Sequence, residues 1–219
     1  LAERPVKAVL LTHSETSTGV IQPIRELARV ANDAGALVVV DVVSSLGAVP
    51  FAFNEWGIDV AVGGSQKALS ASPGIAFVAI SERAWAMQRA ATMHRFYFDW
   101  SIYKDYADKP EPENPWTPAI SVMQGLHAAL ELYFQDGVDV ALERHHTLSR
   151  AVKDGAQALG LDLFGEGLDD KECPGDQQDC GGDATHDREP LAPRCLGCST
   201  LLGLTRRLVA VAESAAGAS

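Results

Sequence analysis

Leu37-Val-Val-Val-Asp41 is an unbroken apolar run that ends on a carboxylate. It shows no alternation, so neither face is reserved for water, as expected of a strand buried on both sides in a parallel sheet. Upstream, Lys7-Ala-Val-Leu-Leu-Thr12 is a second short β-rich run. Between the two, Ile24, Leu27, Ala28, Ala31 and Ala34 recur at helical spacing. Pro23 sits where a first helical turn tolerates proline, and Gly35 supplies the stop. Strand, helix and strand make one βαβ unit, and the expected class is α/β, a mainly parallel sheet flanked by helices.

Further along, residues 58–62 and 75–80 read as two more short buried strands, the first running into Gly63-Gly-Ser-Gln-Lys67. Ser81 is placed to cap a helix reaching about Arg89, with Glu82 in its first turn. Residues 93–116 lose all periodicity to aromatics and prolines, and read as a long irregular connection. Two helical segments follow, about 119–135 and 138–159, separated by Asp136-Gly137 and closed by Gly160. The segment His13-Ser-Glu-Thr-Ser-Thr-Gly19 is polar and reads as a functional loop leaving the first strand.

Composition narrows the function. The 219 residues are 47% hydrophobic, enough to bury a core, yet no apolar stretch approaches the roughly 20 residues needed to cross a bilayer. A formal net charge of -11 opposes nonspecific binding to nucleic acid or anionic membranes. Much of that charge is concentrated between Glu166 and Glu189, where nine acidic residues face two basic ones. All four cysteines, Cys173, Cys180, Cys195 and Cys198, also lie beyond residue 166, so the patterned region does without disulfides and a cytoplasmic location is expected. The start at Leu1, without a signal-peptide pattern, predicts a fragment of a longer chain.

Three groups are candidates for chemistry. Asp41 ends a buried strand, where open α/β sheets gather ligands, although a strand-end Asp also serves as a turn or helix cap. Lys67 follows two glycines at the end of the next expected strand. It is either a solvated surface lysine or an amine made reactive by burial or neighbouring cations. Thr16, Ser17, Thr18 and Gly19 can present hydroxyls and amides to an anion or form a simple turn. Together they suit a ligand bearing both a phosphate and a cationic ring nitrogen.

Three stretches, His13-Ser-Glu-Thr-Ser-Thr-Gly-Val20, Val40-Asp-Val-Val-Ser-Ser-Leu-Gly-Ala48 and Trp56-Gly-Ile-Asp-Val-Ala-Val-Gly-Gly-Ser-Gln-Lys-Ala68, resemble in order and spacing the class V pyridoxal-phosphate aminotransferases, most closely the alanine-glyoxylate and serine-glyoxylate branch. The resemblance runs from about residue 6 to about 165 and includes Phe96-Tyr-Phe-Asp99 and Trp116-Thr-Pro-Ala-Ile-Ser121. It implies part of a fold type I large domain over residues 1–137 and the start of a small domain over 138–167; after Gly167 periodicity and apolar density collapse into Gly, Asp, Cys and Pro, so a divergent, poorly ordered tail is expected over 168–219. It also implies pyridoxal 5'-phosphate as cofactor, with Lys67 as the Schiff-base lysine and Asp41 paired with the pyridine nitrogen. By the same resemblance, Val43 packs on the ring, Thr16 brings a hydroxyl near the cofactor, Gln66 neighbours the phosphate, and Thr117 reaches the phosphate of the other subunit of a homodimer.

The implied reaction is amino transfer between a small amino acid and a 2-oxo acid such as glyoxylate or pyruvate. Desulfurase or lyase chemistry on the same cofactor is the enzymatic alternative, and a truncated chain without activity the other. Family members also carry an upstream phosphate loop, an aromatic that stacks on the ring and a downstream arginine for the substrate carboxylate. None is recognisable here, and Arg194, Arg206 and Arg207 receive no role. Cys195-Leu-Gly-Cys198 has metal-ligand spacing, with Cys173, Cys180 and His186 available, but a tail that departs from the family's reading frame is the preferred explanation and no metal is expected.

Overall fold

The computed structural model describes residues 6–164. The expectations for the tail, its cysteines and its arginines therefore lie outside the described residues. Strand β1 (Ala8–Thr12) leads through the two-residue strands β2 (Ser14–Glu15) and β3 (Val20–Ile21) into helix α1 (Ile24–Asp33) and strand β4 (Leu37–Asp41). Strands β5 (Val60–Gly64) and β6 (Ala76–Ile80) complete the sheet. Helices α2 (Glu82–Ala90), α3 (Trp100–Ala107), α4 (Ile120–Gln135) and α5 (Val138–Ala158) follow.

The main sheet has the order β1-β4-β5-β6. β1 and β4 pair in parallel with Thr12 opposite Asp41, and β4 pairs in parallel with β5, Asp41 opposite Val62. The expected βαβ unit is present: α1 buries Ile24, Ala28 and Ala31, one face at helical spacing, against Val38 and Val40 of the central strand. Phe53, Ile58, Ala61 and Ala79 extend the same core.

Four details differ from the sequence expectation. β6 runs antiparallel to β5, because the short connection from Gly64 to Ala76 contains no crossover helix. The strand expected at 58–62 is shifted to Val60–Gly64, and its two glycines extend the ladder. Gly63 pairs with Phe77, whose ring lies where a side chain would be, 2.1 Å from an added Cβ, so only glycine fits. The supposedly irregular 93–116 connection contains α3, capped by the Asp99 carboxylate, which accepts from the Ser101 amide at 3.0 Å. The polar segment after β1 is partly ordered as the β2–β3 hairpin, with Ser14 opposite Ile21.

The remaining helices match closely. Ser81 caps α2 by accepting from the Ala84 amide at 3.1 Å, and α4 and α5 are separated at Gly137, which has a φ of 91°. Tyr133 ties α4 to the loop after β4: it is buried, and its hydroxyl donates to the Gly47 carbonyl at 3.0 Å. Leu69, from the loop after β5, presses on the same glycine. Among the described residues, no helix is long and apolar enough to cross a membrane.

Candidate active site

Because β1, β4 and β5 are parallel, their carboxyl ends share one edge of the sheet. Three loops leave that edge: residues 13–19 after β1, 42–49 after β4 and 65–75 after β5. They carry Thr16, Val43 and the pair Gln66 and Lys67, while Asp41 closes β4 itself. Topology thus assembles residues that are 51 positions apart in the chain at the edge where open α/β sheets bind ligands.

Local hydrogen bonds set each loop. The Asp41 carboxylate accepts from the Val43 amide at 2.8 Å, and the Asp41 carbonyl accepts from the His13 amide at 2.9 Å. The carboxylate thus caps its own turn and remains exposed, so the capping and ligand-binding readings of Asp41 are compatible. In the first loop the Glu15 carboxylate accepts from the Ser17 amide at 2.8 Å and from its hydroxyl at 2.7 Å, and those bonds hold its pKa below the usual carboxylate range. The Thr16 hydroxyl lies 3.0 Å from that of Ser44, linking the loops after β1 and β4.

The lysine loop is closed on itself. Ser65, fully buried, donates its hydroxyl to the Ser72 carbonyl at 2.6 Å, and the Ser70 amide donates to the Lys67 carbonyl at 2.9 Å. Ser70 holds a φ of 58°, a left-handed conformation that costs a non-glycine residue about 1 kcal/mol and clusters at functional sites. At Gly64 an added Cβ would stand 3.0 Å from Gln66 Oε1 and 3.7 Å from Val43 Cγ1, so these two side chains flank one bare backbone position. Lys67 and Asp41 are both exposed, and among the described residues neither enters an ion pair.

Thr117 comes from another part of the chain than the three loops. It is exposed in the segment before α4, next to Trp116, whose ring packs on Phe96 and Tyr97 at centroid distances of 5.2 and 5.4 Å. Two neighbours of the site carried no assignment from the sequence. Ser44 has a partner 28 positions away that no local pattern announces. His13, inside the quoted motif, is buried against Phe51 and Trp56, and burial lowers its pKa to about 4, leaving the imidazole neutral. His146 is exposed on α5, and the His145 ring bonds the Ala141 carbonyl of the same helix at 2.8 Å.

The family model described as aminotransferase class-V matches residues 2–166. The chain is 40% identical over 163 residues to a protein of Synechococcus sp. named soluble hydrogenase, small subunit, covering 74% of this chain and 42% of that one. It is 37% identical over 158 residues to the serine–glyoxylate aminotransferase of Arabidopsis thaliana, covering 71% of this chain and 39% of that enzyme. The crystal structure of an alanine–glyoxylate aminotransferase from Nostoc sp. superposes with a TM-score of 0.66 at 31% identity, over 72% of this chain and 42% of that one. The chain therefore spans about two-fifths of the length of the relatives it matches. On the family match over nearly all the described residues, with the parallel strand ends and their three loops in place, the chain belongs to the class V aminotransferase family.

Proposed function

We propose that the strand-end edge is a pyridoxal 5'-phosphate site and that the protein carrying it transfers an amino group between a small amino acid and a 2-oxo acid such as glyoxylate or pyruvate. The observation that carries this reading is the convergence of an exposed carboxylate, an exposed amine and a hydroxyl on one sheet edge. The donor set fits the cofactor's parts: an anion for a ring cation, an amine for an aldehyde, and a bare Gly64 flanked by Gln66 and Val43 where a flat group can approach.

When bound, this cofactor supplies an electron sink for the pair left on the substrate Cα as its proton departs. Asp41 keeps the ring nitrogen protonated, as its position at the end of β4 allows. Lys67 would hold the cofactor through its aldehyde, and its amine would serve as the base that moves the substrate Cα proton. Val43 offers its methyl groups to the ring and Gln66 its amide to the phosphate, while Thr16 presents a hydroxyl. Thr117 would serve the phosphate of a cofactor held by a second copy, which would make the complete site dimeric.

The same reading assigns residues 1–137 to the large, cofactor-binding domain and 138–167 to the start of a small domain, with the break at Gly137 as support. The cysteine-free region 1–166 supports a cytoplasmic setting. The decisive assay supplies the chain with pyridoxal phosphate, glyoxylate and ¹⁵N-labelled alanine, serine or aspartate. Labelled glycine is the expected product. Sulfide from cysteine without nitrogen transfer would move the protein to the desulfurase branch instead.

A further inference from the structure

We infer that Ser44 is a positioning residue of this site, acting through Thr16. This rests on the cofactor reading above and assigns a role to a side chain that the motif leaves unexplained. The two hydroxyls lie 3.0 Å apart and bridge the loops after β1 and β4. Each end of the bridge is held independently. Thr16 adjoins Glu15, whose carboxylate fixes the Ser17 amide and whose carbonyl accepts from the Gly19 amide at 2.8 Å. Ser44 sits in the turn where the Val43 amide donates to Asp41 and the Ser45 amide donates to the Val42 carbonyl at 3.2 Å.

Two hydroxyls carry two protons, and a bond between them uses one. When Ser44 donates, Thr16 keeps its own proton free and becomes a stronger donor, because hydrogen bonds in a chain polarise one another. The freed proton would be available to an oxygen of a ligand bound at the edge that Thr16 and Asp41 share. Without Ser44, the Thr16 hydroxyl rotates freely and turns to water. The pair is exposed, so its net contribution to folding is small, and its value lies in orienting a donor.

The test uses the full chain with pyridoxal phosphate, comparing the parent with Ser44→Ala, Thr16→Ala, the double variant and Ser44→Thr. Three readouts are taken: retention of cofactor through dialysis, the pH titration of its absorbance, and thermal melting of the cofactor-free chain. Ser44→Ala is expected to weaken retention roughly three- to tenfold and to shift the absorbance titration, with little change in melting. The double variant should be no worse than Thr16→Ala alone, and Ser44→Thr, which keeps the hydroxyl, should restore the parent behaviour. Parent-like retention and titration in Ser44→Ala, or losses that simply add in the double variant, would overturn the positioning role while leaving the cofactor site intact. A parent chain that retains no cofactor, with Lys67 unmodified after borohydride reduction, would overturn the site and this inference with it.

Discussion

The two ends of the same sheet carry two polar clusters that differ in one respect. At the amino edge of β4 and β5, Asp59 is buried and fully engaged. It accepts from the Val38 amide at 2.9 Å, from Ser81 at 2.7 Å and from Arg83 Nε at 2.9 Å, with a second contact from Arg83 Nη2. Arg83 Nη2 also donates to Asn32 at 2.7 Å and to the Ala36 carbonyl at 3.0 Å. At the carboxyl edge, Asp41 and Lys67 are exposed and neither is in an ion pair among the described residues. A satisfied cluster ties helix to sheet, whereas an open one has bonding capacity left for a ligand. Both contain an Asp and a cation, so composition alone cannot separate them.

The contrast is broken most severely by substitution at the two aspartates. Asp59→Ala leaves the Val38 amide and Ser81 without their partner and Arg83, itself part-exposed, with only Asn32 and the Ala36 carbonyl, and should cost about 2 kcal/mol, the range for an unsatisfied buried polar group. Asp41→Ala at the open edge loses only the exposed turn bond to the Val43 amide and should cost no more than about 1 kcal/mol. Urea unfolding of both variants checks this, and equal losses would erase the distinction between the two ends.

Acid should sharpen the comparison in two separate windows. Burial lowers the folded pKa of His13 from 6.5 to about 4, so the unfolded chain takes up a proton that the folded chain refuses. Stability should therefore fall as pH drops from 6.5 to about 4, by up to about 3 kcal/mol, and level off below that. His13→Phe, which keeps a ring against Phe51 and Trp56, should flatten this window. Burial pushes Asp59 upward, but bonds from Arg83, the Val38 amide and Ser81 outweigh it and leave its pKa below 3.8. Its contribution is full above that value and is lost only as pH falls further, through the folded pKa. A single pH transition common to both the parent and His13→Phe would contradict the separation.

Particular residues show what the sequence conveys and what it withholds. The unbroken apolar run marked β4 but overstated its burial, since Val38 and Val40 on one face are buried while Leu37 and Val39 on the other are only partly so; α1 followed from the spacing of Ile24, Ala28 and Ala31. The direction of β6 was missed although the short Gly64-to-Ala76 connection carried the signal: it is too brief for a crossover helix. α3 was hidden by the aromatics and prolines on either side, and Asp99 two residues before Ser101 was the cap that marked it. Asp41 and Lys67 were ambiguous as single residues and became a pair only through the motifs around them. Ser44 and the burial of His13 depend on partners brought by topology, Thr16 across a strand and Phe51 from a later loop, which no local window contains.

The most direct test of the open edge is covalent. The full chain is mixed with pyridoxal phosphate, reduced with borohydride and mapped by peptide mass spectrometry beside Lys67→Ala. A label confined to Lys67 and absent from Lys67→Ala is the predicted result. Labelling scattered over Lys7, Lys104, Lys109 and Lys153, and unchanged in Lys67→Ala, would contradict the account.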